Sequence, residues 1–551
     1  MEETEVDPSS SSSAPPLHPH QTQETSSSSS SPPPLTNGIT ATTAEAQEKE
    51  EEEDESSSAT ATTSKQQMKE KQKAEEEVEE EEEGEEGRSS SSSTTRTVVE
   101  DEDELDVYYQ QHWPKHKKHI FILSSAGKPI YARYGDEQKI CGFMGVIQAI
   151  CSTVASSGDT LHYLVAGDHK FVFVVKEPFI YVTVSQTGEP VMHLRRQLEY
   201  VHSQIISTLT AGVTKIFQTR AHFDIRGLLT GTEKFLDNLI RLMETEASFI
   251  VDSVQCLRLP QSVRSFIATV LQSIQTEDLA YAVLISNHKL VNFMQPRRHL
   301  LHPEDLQLIF NFINSSTSFR NSESWTPLCL PKFNDKGYLH AYVCYLMEDL
   351  CLLLISINNE LFFRLSESKR VIDKGLSAGG AMDAIAKSFR EPPYTLRDIP
   401  IALSPSSSSS PPSLQHTGLI HFLFKQHDPQ RQFTAPEFLP PYNNPLHRER
   451  LLRLYQLIQS KMHKQKAPKP AGKAATTATT DEEHSSNLKM WFSGGTKETL
   501  LSFWNSDYEL YTIFEPLVSK TMCMRVCGVL LKWIKREESY LFVQNPSDNV
   551  W

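Results

Sequence analysis

The sequence lacks the features that mark an enzyme or a membrane-spanning protein. Its longest apolar run, Leu350 to Ile357, has the length of a strand, whereas a spanning helix needs about 20 apolar residues. It contains no glycine-rich phosphate loop, dinucleotide-binding glycine pattern, nucleophile elbow or zinc-protease motif, and its N-terminus has no apolar signal segment. These absences predict a soluble, cytoplasmic protein without catalytic residues, metal or cofactor, which contacts membranes only peripherally.

Cysteine is sparse and is never paired in the sequence. Eight cysteines are scattered along the chain, several of them within apolar runs, and none belongs to a CxxC pair. This usage favours buried, reduced thiols over a disulfide framework or a zinc site. His116 and His119, like His299 and His302, have HxxH spacing, but no cysteine or carboxylate accompanies them at metal-ligand spacing. We interpret these histidines as satisfied or exposed side chains.

Three glycines lie in a stretch that otherwise reads as helix: Gly375, Gly379 and Gly380. No Lys-Ser or Lys-Thr pair comes directly after any of them, as it would in a phosphate-binding loop. A bend in the helix or a close packing contact is therefore the predicted role.

Positive charge is scarce in the first part of the chain. Residues 1–106 contain 30 acidic and 7 basic residues, a net charge of −23, whereas the remaining residues contain 40 acidic and 47 basic ones, a net charge of +7. The first part consists almost wholly of Ser, Thr, Pro, Gln and Glu, and it cannot bury enough apolar surface to offset the entropy of ordering. We predict a disordered acidic tail over residues 1–106.

What the chain does contain is one pattern of elements that occurs three times. The first copy starts with a hairpin from 119 to 134, continues with a helix from about 137 to 154 and three strands from 161 to 184, and closes with a helix from about 191 to 217. The pattern returns from 279 and again from 418. We predict an α/β (α+β) protein with three domains, each a five-stranded, mainly antiparallel sheet with helices in the order ββαβββα.

Shifts in composition suggest where these domains begin and end. We place the first domain with an extra helix at 113–258, the second at 259–400, a Ser/Pro linker at 401–415, and the third at 416–551, with a low-complexity insertion at 464–486. Because the hairpins start at 119, 279 and 418, the repeat is too long for a solenoid and indicates three separate domains.

The first helix carries a stripe of small residues. Gly142, Gly145, Ala149 and Thr153 follow one another at helical spacing, and each glycine inside a helix costs about 1 kcal/mol relative to alanine. Such a face lets another backbone approach closely. The occupant is either a protein partner or the second helix of the same domain, and the sequence leaves both readings open.

Trp325 stands in a strand that is interrupted and followed by prolines, Pro327 and Pro331. Proline is excluded from central strands, so this segment is predicted to lie at a sheet edge or in a loop. An exposed tryptophan there would be a candidate binding hot spot. The alternative is a half-buried residue that anchors its own sheet.

Two basic clusters could contact anionic lipid. Lys115, Lys117 and Lys118 lead into the first strand, and a helix with Arg448, Arg450 and Arg453 is followed by four lysines between 464 and 473. Each such cation is worth about 1 kcal/mol near an anionic membrane. The alternative for the lysines is a solvated strand entrance. Nucleic acid is not an expected partner, because no set of stacking aromatics or recognition motif accompanies the charge.

Three segments of the sequence resemble a known family. The segments Trp113 to Gly135 (WPKHKKHIFILSSAGKPIYARYG), Arg226 to Gly231 (RGLLTG) and Ser324 to Asn334 (SWTPLCLPKFN) resemble the Mon-one vacuolar fusion proteins in their animal form. The likeness extends over about 110 to 551, and it implies that the three units are longin domains.

The resemblance also implies a function. Members of that family pair with a Ccz-one type three-longin protein, and the pair is a guanine-nucleotide exchange factor for the late-endosomal Rab GTPase (Rab-seven). This implies a location on endosomes, late endosomes and lysosomes, with an anionic phosphoinositide membrane and an early-endosomal Rab as recruiters. The runner-up is a non-catalytic tether or coat-type scaffold built of longin domains.

The resemblance suggests roles for particular residues. It places Gly142, Gly145, Gln148 and Ala149 in the platform that receives the partner and the GTPase. It assigns Trp325 to the recruiting Rab.

Overall fold

The computed structural model describes residues 115–135, 140–219, 225–401, 413–427, 431–463, 488–544 and 550. The chain divides into the units Met1–Thr97 and Val98–Trp551, and all described residues belong to the second unit. The acidic tail, most of the Ser/Pro linker, the insertion at 464–486 and the four lysines within it lie outside the described residues.

The first domain has the predicted order of elements. Its strands are β1 (Lys118–Ser124), β2 (Pro129–Ala132), β3 (Tyr163–Ala166), β4 (His169–Lys176) and β5 (Phe179–Ser185). Its helices are α1 (Cys141–Ser156), α2 (Val191–Leu209), α3 (Val213–Thr219), α4 (Arg226–Leu229), α5 (Glu233–Thr245) and α6 (Ala247–Val251). The helix α1 begins four residues later than the hydrophobic pattern suggested. A short strand, β6 (Val254–Cys256), follows.

The second and third domains repeat the order ββαβββα. The second comprises α7 (Gln261–Gln272), β7 (Leu279–Ser286), β8 (Lys289–Met294), α8 (Pro303–Asn314), β9 (Ser324–Leu330), β10 (Asn334–Met347), β11 (Leu350–Ser356), α9 (Phe362–Ala378) and α10 (Ala381–Arg390). The third comprises β12 (Leu419–Gln426), β13 (Gln432–Thr434), α11 (Pro445–Met462), β14 (Met490–Gly494), β15 (Thr499–Trp504), β16 (Tyr508–Phe514), α12 (Lys520–Arg536) and α13 (Glu538–Leu541). The predicted mixed α/β class is confirmed.

The sheet of the first domain is antiparallel throughout and is covered on both faces. Its strand order is β2-β1-β5-β4-β3. All seven residues of β1 are buried, because successive side chains point to opposite faces. Phe121 and Leu123 pack with α1 through Met144, whereas Ile120 and Ile122 pack with α2. The helices α1 and α2 therefore lie on opposite sides of the sheet.

The sheets of the second and third domains are joined, which the sequence did not predict. Eleven strands form one sheet in the order β14-β15-β16-β12-β13-β6-β8-β7-β11-β10-β9. The three-residue strand β6 pairs in parallel with β13 on one side and with β8 on the other. The second and third domains each keep the five predicted strands, and β6 is an addition that the sequence did not indicate, because a strand of three residues is too short to produce a period-two signal.

The predicted roles of the glycines in the second domain are confirmed. A Cβ on Gly379 would lie 2.1 Å from the ring of Phe266, so a larger residue at this position would require that ring to move. Gly380 adopts a positive φ of 68° between α9 and α10, which only glycine adopts without strain. The helix therefore bends at this pair.

Cysteine and histidine have packing roles in the described parts of the chain. Seven of the eight thiols are buried, and Cys141 at the start of α1 is exposed. His116 stacks on Tyr134, and His302 caps α8 by accepting the backbone N–H of Glu304 at 3.1 Å. Within those parts, no group of three His, Cys, Asp or Glu side chains is arranged to hold a metal ion.

Candidate interaction surfaces

The small-residue stripe of α1 faces outward. Met144, Ile147 and Cys151 fix the helix on the sheet, which turns the opposite side away from the domain. A Cβ added at Gly142 or at Gly145 would meet no atom within 4 Å. Packing against the second helix of the domain is therefore ruled out as the reason for these glycines, because α2 lies across the sheet.

This outward side is apolar as well as small. We call it the α1 open face and define it by these exposed residues: Gly142, Gly145, Val146, Ala149, Ile150 and Thr153. Val146 is 57% and Ile150 is 38% exposed. A helix side that combines exposed β-branched residues with glycine presents both apolar area and a close approach to the backbone, the features of a protein-binding surface.

Gln148 lies beside this face and differs from the other predicted residues. It is half-buried, and its amide donates hydrogen bonds to Ser152 Oγ at 2.9 Å and to the backbone carbonyl of Ser125 at 3.4 Å. Its side chain also covers Gly127 in the β1–β2 turn. Gln148 thus holds α1 to the hairpin at the rim of the open face.

Trp325 lies in β9, which ends the eleven-stranded sheet, so the predicted edge position is confirmed. The indole is half-buried, with ring centroids 5.6 Å from His340 and 6.3 Å from Phe362. Phe363, whose ring centroid lies 5.4 Å from that of Phe362, is 82% exposed. The tryptophan is therefore an anchor for its own sheet and also part of an accessible aromatic patch at the sheet edge.

The structure brings five of the six predicted basic residues to one place, all except Arg450. Lys115 and Lys117 at the start of the first domain and Arg448 and Arg453 on α11 of the third domain line one cavity of about 650 Å³. The two stretches are more than 300 residues apart in sequence. We call this the basic cavity.

Lys118 also lines this cavity, but its ammonium is sequestered in the floor. It forms ion pairs with Glu189 at 3.1 Å and with Glu244 at 3.0 Å, and the side chain is 5% exposed. Burial alone would lower the pKa of Lys118, but the two carboxylates raise it. Lys118 is therefore a structural ion, and the expectation that it contacts lipid is corrected.

Arg450 is turned away from the cavity. Its guanidinium makes a bidentate contact with Glu498, whose side chain is 7% exposed and which precedes β15. This hydrogen-bonded carboxylate raises the pKa of Arg450 above its usual value. Arg450 binds α11 to the sheet, so it is not part of the cavity wall.

Sequence reasoning missed several residues of the cavity. Arg241 enters from α5, a helix whose sequence shows only a packing stripe, and Gln456 enters from α11 as a buried polar residue. A signal was present in Gln456, because a glutamine between the buried residues Tyr455 and Ile458 is unusual without a partner. Arg241 gave no such signal.

Among the helices that the structure describes, none is long and apolar enough to span a membrane.

Comparisons with known proteins agree with this architecture. Residues 118–239, 277–372 and 418–538 match the families described as the first, second and third longin domains of FUZ, MON1 and HPS1. The chain is therefore a protein of three longin domains.

Similarity over about four fifths of the chain identifies the family more closely. The chain is 37% identical to vacuolar fusion protein MON1 homolog A of Gallus gallus over 437 residues, which cover 79% of this chain and 73% of that protein. It is 35% identical to protein SAND of Takifugu rubripes, covering 79% and 77%, and 34% identical to the MON1 homolog of Oryza sativa subsp. japonica, covering 80% and 77%. The chain belongs to the MON1 family of vacuolar fusion proteins, which supports a role in vacuolar fusion.

Proposed function

We propose that this chain is one subunit of a guanine-nucleotide exchange factor that activates a late-endosomal Rab GTPase, with a Ccz-one type three-longin protein as its partner. The observation that carries the proposal is the α1 open face, an accessible apolar and glycine-containing helix side in the first longin domain of a MON1 family member. In this proposal the face contributes to the platform on which the partner and the GTPase dock.

Exchange requires no covalent chemistry from the factor. A surface that binds the GTPase more tightly without nucleotide lowers the affinity for nucleotide by the same factor by which nucleotide lowers the affinity for the surface. A subunit can therefore promote release by shape alone. The described residues fit such a mechanism, because they offer docking surfaces.

The test is release of fluorescent GDP from the late-endosomal Rab, with this chain alone, the partner alone and the pair. In the pair, the double variant Gly142→Trp, Ala149→Trp is expected to slow release at least about tenfold, the loss of a hot spot worth about 2 kcal/mol. Two indoles on the open face would hold the docking protein away, and the open space there lets the variant fold.

The matched control is Gly528→Trp. Gly528 is also an exposed glycine within a helix, α12, and a Cβ there meets no atom within 4 Å. We expect this variant to keep the wild-type release rate. A wild-type pair that binds the Rab without accelerating release would instead support a tether, and equal rates for the open-face variant and the wild type would remove α1 from the platform.

We further propose that the aromatic patch around Trp325 binds the early-endosomal Rab that recruits the complex. Trp325→Ala is expected to weaken recruitment to vesicles carrying that Rab in its GTP form by at least about tenfold, because central aromatic anchors dominate interfaces. Vesicle co-sedimentation measures this. Trp491→Ala is the control, because Trp491 is a half-buried tryptophan on β14, the opposite edge strand of the same sheet. An equal loss in both variants would contradict the assignment.

Peripheral association with endosomal and lysosomal membranes through anionic phosphoinositides completes the proposal. Lys115, Lys117, Arg448 and Arg453 remain the residues that support it, since they share one accessible cavity.

A further inference from the structure

We propose that the basic cavity between the first and third longin domains is a binding site for an inositol ring that carries several phosphates. This chemistry is shared by soluble inositol polyphosphates and by phosphoinositide headgroups. The inference rests on the proposed membrane contact only for the choice of phosphate as the anion. The cavity itself and its charges are features of this chain.

Four separate segments enclose the cavity. They are the approach to β1 at 115–118, the turn at 187–189, the end of α5 and the residues after it at 241–246, and the first half of α11 with the loop before it at 443–456. The volume of about 650 Å³ lies within the range of small-molecule sites, about 300–1,000 Å³.

The charges that line the cavity do not cancel. The cationic lining residues are Lys115, Lys117, Lys118, Arg241, Arg448 and Arg453, and the carboxylates are Glu189, Glu244, Glu246 and Glu449. Lys118 pairs with Glu189 and Glu244, and Arg453 pairs with Glu449. Glu244 is also paired with Arg133, so four cations and Glu246 then remain, and burial raises the pKa of Glu246. The accessible part of the cavity is therefore an attractive environment for a multivalent anion.

The cations come from two different domains, and their side chains are suitable hydrogen-bond donors to phosphate. Lys115 and Lys117 are exposed on the first domain, and Arg448 projects from α11 with its guanidinium over Phe438. Ammonium and guanidinium groups are the usual phosphate ligands in proteins, and hydrogen bonds between charged groups are about twice as strong as neutral ones. A rigid ring with phosphates at several corners can meet both walls at once.

The floor of the cavity contains an unpaired acceptor. Gln456 is 4% exposed, and its amide nitrogen donates to Glu189 at 3.2 Å, while its Oε1 has no hydrogen-bond partner among the described residues. Leaving a buried acceptor unpaired costs about 1–3 kcal/mol. Because this oxygen is buried beneath the cavity surface, a bound ring would meet the accessible cations and not Gln456. Arg448 Nε, also buried, lacks a partner in the same part of the chain.

A ligand in this position would bridge two domains. The first domain contacts the third along this side through polar groups such as Glu189 and Gln456, and the cavity lies directly above them. An anion bound to both Lys117 and Arg448 would therefore stabilise one arrangement of the first domain, which carries the α1 open face, against the third. The proposed ligand is in this sense a structural effector of the docking platform.

The test is isothermal titration of the full chain with inositol hexakisphosphate at constant ionic strength. We expect one site per chain. The double variant Lys117→Gln, Arg448→Gln should weaken binding at least about tenfold, and its thermal unfolding midpoint without ligand should equal that of the wild type. The control Arg525→Gln, Lys532→Gln removes the same charge from exposed positions on α12 and should bind like the wild type.

Several results would overturn the site. These are the absence of binding, equal weakening in the cavity variant and the control, or equally tight binding of sucrose octasulfate that is insensitive to the cavity variant, since each would indicate general charge attraction.

Vesicles separate the two sources of the ligand. Binding to vesicles with a phosphoinositide, compared with phosphatidylserine vesicles of equal charge, identifies a lipid headgroup if it depends on Lys117 and Arg448. Titration with the soluble probe but no such vesicle dependence identifies a soluble ligand. Vesicle binding that persists in the cavity variant, together with no titration by the soluble probe, would leave the membrane proposal standing and refute the cavity.

Discussion

Replacing Lys118 by alanine is expected to lower the free energy of unfolding of the first domain by about 3–5 kcal/mol, the usual cost of removing one partner from a buried ion pair. The ammonium of Lys118 compensates Glu189, which is buried and also accepts hydrogen bonds from Thr187 Oγ1 at 2.7 Å and Gln197 at 2.9 Å. Without the lysine, that carboxylate would remain buried without a cation.

The neighbouring lysine provides the control. Lys117 precedes Lys118 directly, carries the same charge and is exposed, so Lys117→Ala should leave stability essentially unchanged. The measurement is amide hydrogen exchange of β1, together with the urea midpoint of the corresponding transition. Equal stability of the two alanine variants would show that the Lys118 network contributes little.

The stability that Glu189 contributes through this network is expected to decrease at acid pH. Burial alone would raise the pKa of Glu189, but Lys118 and the hydrogen bonds lower it to about 2. Because the folded pKa lies below the ordinary value of about 4.3, the contribution of Glu189 is complete above that value. It is lost as the pH falls from about 4 towards 2.

The second large effect is expected at Glu509 in the third domain. This carboxylate is 3% exposed and lies 2.9 Å from His427 Nε2, 3.2 Å from His463 Nε2 and 3.4 Å from the ammonium of Lys425, which is itself buried. Glu509→Gln would leave Lys425 without its counter-ion, and it should lower the free energy of unfolding of the third domain by about 3 kcal/mol or more.

Acid titration distinguishes this loss from a packing defect. Burial would raise the pKa of Glu509, but the histidines and Lys425 lower it well below its usual value. Its contribution is thus fully present above pH of about 4.3 and is lost as the pH falls through the folded pKa. Glu509→Gln should therefore reduce the loss of stability of the third domain below that pH, measured by urea unfolding at several pH values.

Glu515→Gln is the control for this site. Glu515 follows the last residue of the same strand, β16, and is exposed. It should keep both the stability and the acid profile of the wild type. An unchanged acid profile in the Glu509 variant would mean that other carboxylates dominate the acid response.

Local patterns in the sequence were sufficient for the elements of the fold. The spacing of Met144, Ile147 and Cys151 predicted a helix that packs on one side, and the structure buries these three residues. The two glycines beside them predicted a close approach of another backbone, and the structure leaves that side open. Periodicity and glycine placement act within one or two turns of chain, so a single sequence displays them directly.

The C-terminal end of α9 was predicted from the sequence in the same way. Gly379 and Gly380 predicted a bend or a close contact, and both are present, since one glycine packs on Phe266 and the other adopts a positive φ. A backbone conformation or contact that excludes a side chain favours glycine at that position. Glycine at such a position can therefore be recognised from the sequence alone, without knowledge of the residues around it.

Local sequence patterns did not predict the roles of the individual basic residues. Lys117 and Lys118 are adjacent and identical in the sequence, yet one is exposed and the other is buried between Glu189 and Glu244. Arg448 and Arg450 are both half-exposed, yet Glu498 holds only the second. The partners that decide these roles are 48 to 126 residues away, and nothing in the local pattern indicates which carboxylate will arrive.

By itself, the sequence of this protein determined the order ββαβββα, its three occurrences, the small-residue stripe of the first helix and the resemblance to a known family. Only the tertiary structure decided that β6 joins two domains into one sheet, that Lys118 is a buried ion, and that cations from the first and third domains share a cavity. The physical reason is the distance along the chain over which each interaction acts. Secondary structure follows from interactions between near neighbours, whereas burial, ion pairing and cavities depend on segments that only the folded chain brings together.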